Sequence, residues 1–218
     1  MIRNVVFDMD GVLFDTERLS RHYWDLAGKQ YGLMNMGEEI YAYLGVTHQI
    51  SEAMFNRDHG DLMPYSEWNR IVRGMSADHI AEHGVPVKKG VRELLSYLKQ
   101  NGIGVALATS TSRPLAEKYL RQTEIFDYFD AIVTGDMVVN SKPDPEIYLL
   151  ACEKLGADPA EAAAVEDSHN GIRSAAAAGM QAIMVPDLIE PTEELRALSA
   201  AVLPSLLDVI DWIARQNA

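Results

Sequence analysis

Four short stretches of this sequence are apolar from end to end: Val5–Phe7, Ile103–Ala108, Ala131–Val133 and Ala162–Val165; Gln181–Val185 is apolar after its first residue. A strand without a polar face has none to give to water, so each must be covered on both sides. The segments between them have a helical rhythm. Val91, Leu94, Leu95 and Leu98 fall at i, i+3, i+4 and i+7, one face of an amphipathic helix that ends near Asn101-Gly102. Pro114–Gln122, the stripe of Ile147, Leu150, Ala151 and Leu155, and Ile172–Ala178 continue the pattern. Ala201–Leu203 is short enough for a last edge strand, before a helix carrying Leu206, Ile210 and Ile213. Apolar strands alternating with helices predict a doubly wound α/β core built on a parallel sheet.

Residues 16–83 break this alternation. They hold no convincing strand and read as helices over Glu17–Tyr31, Glu38–Leu44, Gln49–Arg57 and Glu67–His83, separated by Gly32, Gly45, Gly60 and Pro64. Gly84–Gly90 is the return hinge. The division expected is a core of 1–15 with 86–218 and an all-helical insertion over 16–85. Hydrophobic residues make up 48% of the 218 positions, enough to exclude a disordered chain. The formal charge of -13 argues against nucleic acid and anionic membrane as partners, because both require basic patches. A single cysteine, Cys152, excludes an intramolecular disulfide and a CxxC knuckle. The start is too short in apolar residues for a signal peptide, and no stretch is long enough to span a bilayer, so a soluble, cytoplasmic protein is expected.

In doubly wound sheets the chemistry lies beyond the carboxyl ends of the strands. Asp8, Asp10 and Gly11 follow the first strand, Thr109 and Ser110 the second, and Glu166 and Asp167 the Val165 strand; a later loop carries Lys142-Pro143. Two carboxylates about 5 Å apart repel by about 3 kcal/mol at an effective dielectric of about 20. Such a group of acids either holds protons or binds a hard cation through oxygen. A lysine and a hydroxyl beside the acids suit an anion lying next to that cation, which describes a phosphoryl-transfer pocket.

The segments Asp8-Met9-Asp10-Gly11-Val12-Leu13-Phe14-Asp15-Thr16, Ala108-Thr109-Ser110-Thr111-Ser112, Ser141-Lys142-Pro143-Asp144-Pro145-Glu146-Ile147-Tyr148 and Val165-Glu166-Asp167-Ser168 resemble, in order, the four motifs of the haloacid dehalogenase-like superfamily. Asp144-Pro145-Glu146 and Asn170-Gly171-Ile172 resemble its helical-cap branch, which contains β-phosphoglucomutase and sugar-phosphate phosphatases. The resemblance implies a Rossmannoid core with a helical cap. It makes Asp8 the nucleophile that becomes an aspartyl phosphate, and Asp10 the general acid and then base. Thr109, Lys142 and amides near Ser110 would grip phosphate. Mg²⁺ would be held by Asp8, Asp167 and the main-chain carbonyl of Asp10, with Glu166 as a ligand or just behind one. Thr16, Gly45, Val46, Thr47 and His48 in the cap, and Arg113 after the second motif, are candidate substrate contacts. The family leaning is a monomer.

Asp10 and Glu166-Asp167 argue against the dehalogenases, which dispense with the second aspartate and the metal. A mutase of this branch would carry a cap histidine near position 20 and an arginine near position 48, where Ser20 and His48 stand. The expectation is therefore a Mg²⁺-dependent phosphatase of a small phosphorylated metabolite, a sugar or polyol phosphate, with a phosphomutase as the alternative. A non-enzymatic phospho-acceptor of the receiver type lacks the insertion and is much shorter. His79-Ile80-Ala81-Glu82-His83 matches a zinc-peptidase pattern, but Gly84 and Pro86 end the helix and no third ligand is evident, so it reads as a solvated helix.

Overall fold

A computed structural model describes residues 1–44 and 48–218. Its strands are β1 (Asn4–Phe7), β2 (Gly104–Thr109), β3 (Ala131–Thr134), β4 (Ala162–Glu166), β5 (Gln181–Met184) and β6 (Ala201–Val202). All pair in parallel, in the order β3-β2-β1-β4-β5-β6. The chain thus builds outward from β1 to β3, then crosses back to lay β4 on the other side of β1. The strand order reverses between β1 and β4, the place where doubly wound sheets carry their chemistry, at the carboxyl ends of the strands.

Tertiary contacts divide the chain into two compact units, Met1–Asp15 with Val87–Ala218, and Thr16–Pro86. The second is helical, with α1 (Thr16–Tyr31), α2 (Met36–Glu39), α3 (His48–His59) and α4 (Tyr65–His83). Its core is aromatic: Trp24 meets Trp68 edge-on with ring centroids 5.4 Å apart, and Phe55 stacks on Trp68 at 5.5 Å. In so small a unit, large rings supply the buried area that a longer chain would draw from many aliphatic residues.

The sheet is covered by α5 (Val91–Gln100), α6 (Arg113–Gln122), α7 (Glu146–Leu155), α8 (His169–Ala177), α9 (Glu193–Leu198) and α10 (Leu206–Asn217). Val6, Ala106, Ala164 and Met184 on one face share a buried cluster with Ile147 and Ala151 of α7 and Ile172 and Ala175 of α8. Strand alternation gives Val5, Phe7, Val105 and Leu107 to the other face, where α5 packs on β2 and α10 packs on α5. Three successive alanines in β4 and the alanines of α8 keep the layers close.

Several boundaries differ from the sequence expectation. Instead of a helix over Glu38–Leu44, α2 starts at Met36 after a left-handed Asn35 and passes into a 3-10 turn, Ile40–Ala42. The helix α8 begins at His169 rather than Ile172, because the Ser168 side chain accepts from the Gly171 amide and caps it. The helix α9 was not anticipated; Thr192 caps it by accepting from Leu195. The last strand ends at Val202, not Leu203.

Candidate active site

The register of the sheet gathers the polar strand ends. Phe7 pairs with Leu107 on one side and Val165 on the other, so Asp8, one residue on, lies between Ala108 and Glu166. The Asp8 amide donates to the Val165 carbonyl at 3.0 Å and continues the ladder. Lys142 reaches in from the loop before α7, across a cis peptide to Pro143. Its ammonium donates to Asp8 Oδ1 at 2.6 Å, Glu166 Oε1 at 2.7 Å and the Ala108 carbonyl at 3.0 Å. The loop is itself fixed: Glu146 accepts from the amides of Val139 and Asn140, and Ser174 of α8 donates to the Asp144 carbonyl.

Glu166 is fully buried and heavily bonded. Its Oε1 also accepts from the Tyr148 hydroxyl at 2.7 Å, and Oε2 accepts from the Asp167 and Ser168 amides and the Ser168 hydroxyl. Burial alone would push its pKa up; Lys142 and these donors outweigh it and hold the carboxyl below its ordinary value. Burial likewise favours neutral Lys142, but Asp8 and Glu166 hold it in the charged form, with its pKa raised. Asp8 goes the other way. Desolvation dominates, Lys142 only partly offsets it, and Glu166 and Asp10 add repulsion, so its pKa rises to about 8.

Asp10 begins the turn that follows. The Thr111 hydroxyl donates to Asp10 Oδ2 at 2.8 Å, and the Thr111 amide donates to Thr109 Oγ1 at 3.1 Å. Thr109 is buried, whereas Ser110 is exposed. Gly11 sits at φ +83°, and a Cβ there would fall on the Asp167 carboxylate, so the turn requires glycine for conformation and for space.

Carboxylate oxygens of Asp8, Glu166 and Asp167 lie within 4.8 Å of one another, all three buried. Three acids against the one ammonium of Lys142 leave this cluster short of positive charge. Its donors are all oxygen, which suits a hard divalent cation such as Mg²⁺. Burial first, and then the repulsion of Glu166 and Asp10, make the Asp8 carboxyl harder to ionise in the absence of a cation.

Asp8, Lys142, Glu166 and Asp167 are thus brought together; Asp10 points its carboxylate to Thr111, outside the trio of acids. Arg113 opens α6, and its guanidinium donates to Glu117 at 2.8 Å on the exposed side of that helix. Thr16 starts α1 and His48 starts α3, while Gly45, Val46 and Thr47 lie outside the described residues. His79 and His83 stack at 4.4 Å, and neither belongs to a group of three or more metal-capable side chains among the described residues. Sequence reasoning missed Thr111, Tyr148 and Ser168. All three lie inside or beside the quoted motifs, but nothing in their spacing says which carboxylate each would meet. Among the described residues, no helix is long and apolar enough to cross a membrane.

The chain is similar to known proteins over most of its length. A phosphorylated carbohydrates phosphatase of Thermotoga maritima is 35% identical over 187 residues, covering 82% of each chain. The fructose-1-phosphate phosphatase YqaB of Escherichia coli is 31% identical, over 83% of this chain and 95% of its own. The crystal structure of CbbY from Rhodobacter sphaeroides in complex with phosphate aligns with a TM-score of 0.76 at 31% identity, over 96% of each chain. The model of the haloacid dehalogenase-like hydrolases matches residues 2–179, a span that includes every strand end of the site. This chain is an enzyme and belongs to the haloacid dehalogenase-like hydrolase family.

Proposed function

We propose that this enzyme is a Mg²⁺-dependent phosphatase that hydrolyses a small phosphomonoester, a sugar or polyol phosphate, through an aspartyl phosphate on Asp8. The observation that carries the reading is Asp8 at the β1 end, bonded by Lys142 and clustered with Glu166 and Asp167. The phosphatase names of the Thermotoga and Escherichia relatives support the substrate class.

Asp8, Asp167, Glu166 and the Asp10 main-chain carbonyl would hold the cation, which when bound neutralises the phosphoryl oxygens as charge develops on them. Asp8 attacks phosphorus, a bond forms from its carboxylate oxygen, and the ester P–O bond breaks. Asp10 gives its proton to the leaving alkoxide, then takes one from the water that attacks the acyl phosphate. Phosphate leaves and the Asp8 carboxylate is regenerated. Thr111, by donating to Asp10, keeps that carboxylate from rotating away from its task. Lys142 balances Asp8 and Glu166 and, with Thr109 and amides near Ser110, meets the phosphoryl oxygens. The helical unit is assigned to covering the bound ester and choosing the leaving group, with Thr16, Gly45, Val46, Thr47, His48 and Arg113 as candidate contacts.

The test is a panel of sugar and polyol phosphates, including β-glucose 1-phosphate with a bisphosphate activator, run with Mg²⁺ and with EDTA. Free phosphate released with Mg²⁺, lost with EDTA and abolished by Asp8→Asn is the expected result. Isomerised sugar phosphate without free phosphate would replace the phosphatase by a mutase. Turnover surviving Asp8→Asn would remove the nucleophile.

A further inference from the structure

Lys88 belongs to none of the motifs and to no helix or strand. It sits in the segment that leads from the helical unit into α5, yet only 18% of its side chain is exposed. Its ammonium donates to the Gly11 carbonyl at 2.6 Å and pairs with Asp187 Oδ1 at 2.9 Å. Asp187, just beyond β5, has a side chain only 1% exposed. The backbone is anchored as well: the Lys88 amide donates to the Leu13 carbonyl at 2.9 Å, and Val87 forms an antiparallel bridge with Phe14.

What Lys88 grips is the turn directly after the nucleophile. A trans peptide is planar, so fixing its N–H fixes the direction of its carbonyl. The Gly11 amide donates to the Phe14 carbonyl at 2.9 Å, which orients the Asp10 carbonyl. The next peptide carries the Gly11 carbonyl, and Lys88 holds that one. Glycine at positive φ has the widest backbone freedom of any residue and no side chain to restrain it. Phe14 and Lys88 therefore pin the two peptides on either side of that glycine.

The charge matters too. A carboxylate oxygen of Asp187 lies within 4.8 Å of one on Asp167, so a fourth acid borders the metal-capable trio. Lys88 sets a positive charge against it. The ammonium thereby compensates Asp187 locally and leaves the negative charge of Asp8, Glu166 and Asp167 for a cation.

We propose that Lys88, anchored by Asp187, is a positioning residue that sets the Asp10–Gly11 turn for cation binding and for proton transfer by Asp10, acting through the Gly11 carbonyl rather than on substrate. This rests on the roles given above to Asp8 and Asp10.

Lys88→Met alone would leave a buried acid without its lysine, so the test uses the double variant Lys88→Met/Asp187→Leu, since apolar replacement of a buried pair is commonly tolerated. In the folded variant, kcat and the Mg²⁺ affinity of the substrate-free protein, read by titration calorimetry, each fall about ten- to hundredfold. The KM for the ester stays within about threefold, which a general loosening of the fold would not give. Lys88→Arg, keeping donor and charge, recovers most of both. A folded double variant with wild-type kcat and Mg²⁺ affinity overturns the proposal. If the double variant does not fold, Lys88→Met/Asp187→Asn, which removes the donor without leaving an ionised acid buried, replaces it, and wild-type values there overturn the proposal equally. Asp8→Asn is run alongside: turnover surviving in that variant would fault the reading of the site itself, whereas loss there with no effect at Lys88 faults only the present inference.

Discussion

Lys142 has three hydrogens to donate, and the protein supplies three acceptors, one at the end of each of three neighbouring strands. Burial weighs most on Asp8, and an ammonium shared with Glu166 only partly offsets it, so its pKa stands at about 8 against an ordinary 3.8. Between those two values the native cation-free protein holds a proton that the unfolded chain has released. Its stability therefore falls as pH rises through that window, and levels off above it. A cation takes the place of that proton. The rise in Tm produced by saturating Mg²⁺ is expected to grow from about pH 5.5 to about pH 8; thermal melts with Mg²⁺ and with EDTA at each pH measure it, and a constant increment would contradict the assignment. The acids themselves were legible in sequence because each follows an apolar strand. Thr111, Tyr148 and Ser168 were not, because a hydroxyl carries no sign of which acid it will meet until the strands are in register. Lys88 and Asp187 are distant in the chain, each in a loop without periodicity, and only the folded sheet brings them together.

Among the elements, α8 shows how a helix can be tied to a charge. It starts under Glu166, capped by Ser168, and a Cβ on Gly171 would fall on the Glu166 carboxylate. In an ordinary helix, glycine to alanine is stabilising by about 1 kcal/mol. Here Gly171→Ala is expected to reverse that sign and destabilise by about 1–3 kcal/mol, as overpacking does. The loss would be read in denaturant melts, accompanied by weaker Mg²⁺ binding as Glu166 is displaced. Strands β1 to β5 were readable because each is buried along most of its length, and α5 because its apolar face repeats at helical spacing. The six-residue α9 buries only Leu195, too little to leave a pattern, and the start of α8 lay hidden in Ser168-His169-Asn170-Gly171, which looks like a turn until the cap forms.

The molecule as a whole is strongly acidic, with a formal charge of -13, while the ester it is proposed to bind is an anion. Attraction must then be local, to the cation and Lys142, and the long-range field opposes approach. Raising ionic strength shortens the screening length from about 30 Å at about 0.01 M to about 8 Å at about 0.15 M. Over that range kcat/KM for a sugar phosphate is expected to rise about twofold, the reverse of a phosphate-binding protein with a basic surface; a fall in steady-state kcat/KM with added NaCl would place the controlling field in the site instead. The bridge between Phe14 and Val87 bears on ancestry. It ties the backbone together where the chain leaves the sheet-bearing unit and where it comes back, so to the sheet everything from 16 to 86 is the bulb of a hairpin whose stem is already closed. What fills that bulb can lengthen, shrink or be traded by recombination without shifting a strand, and a lineage can try new molecules against chemistry it inherits intact.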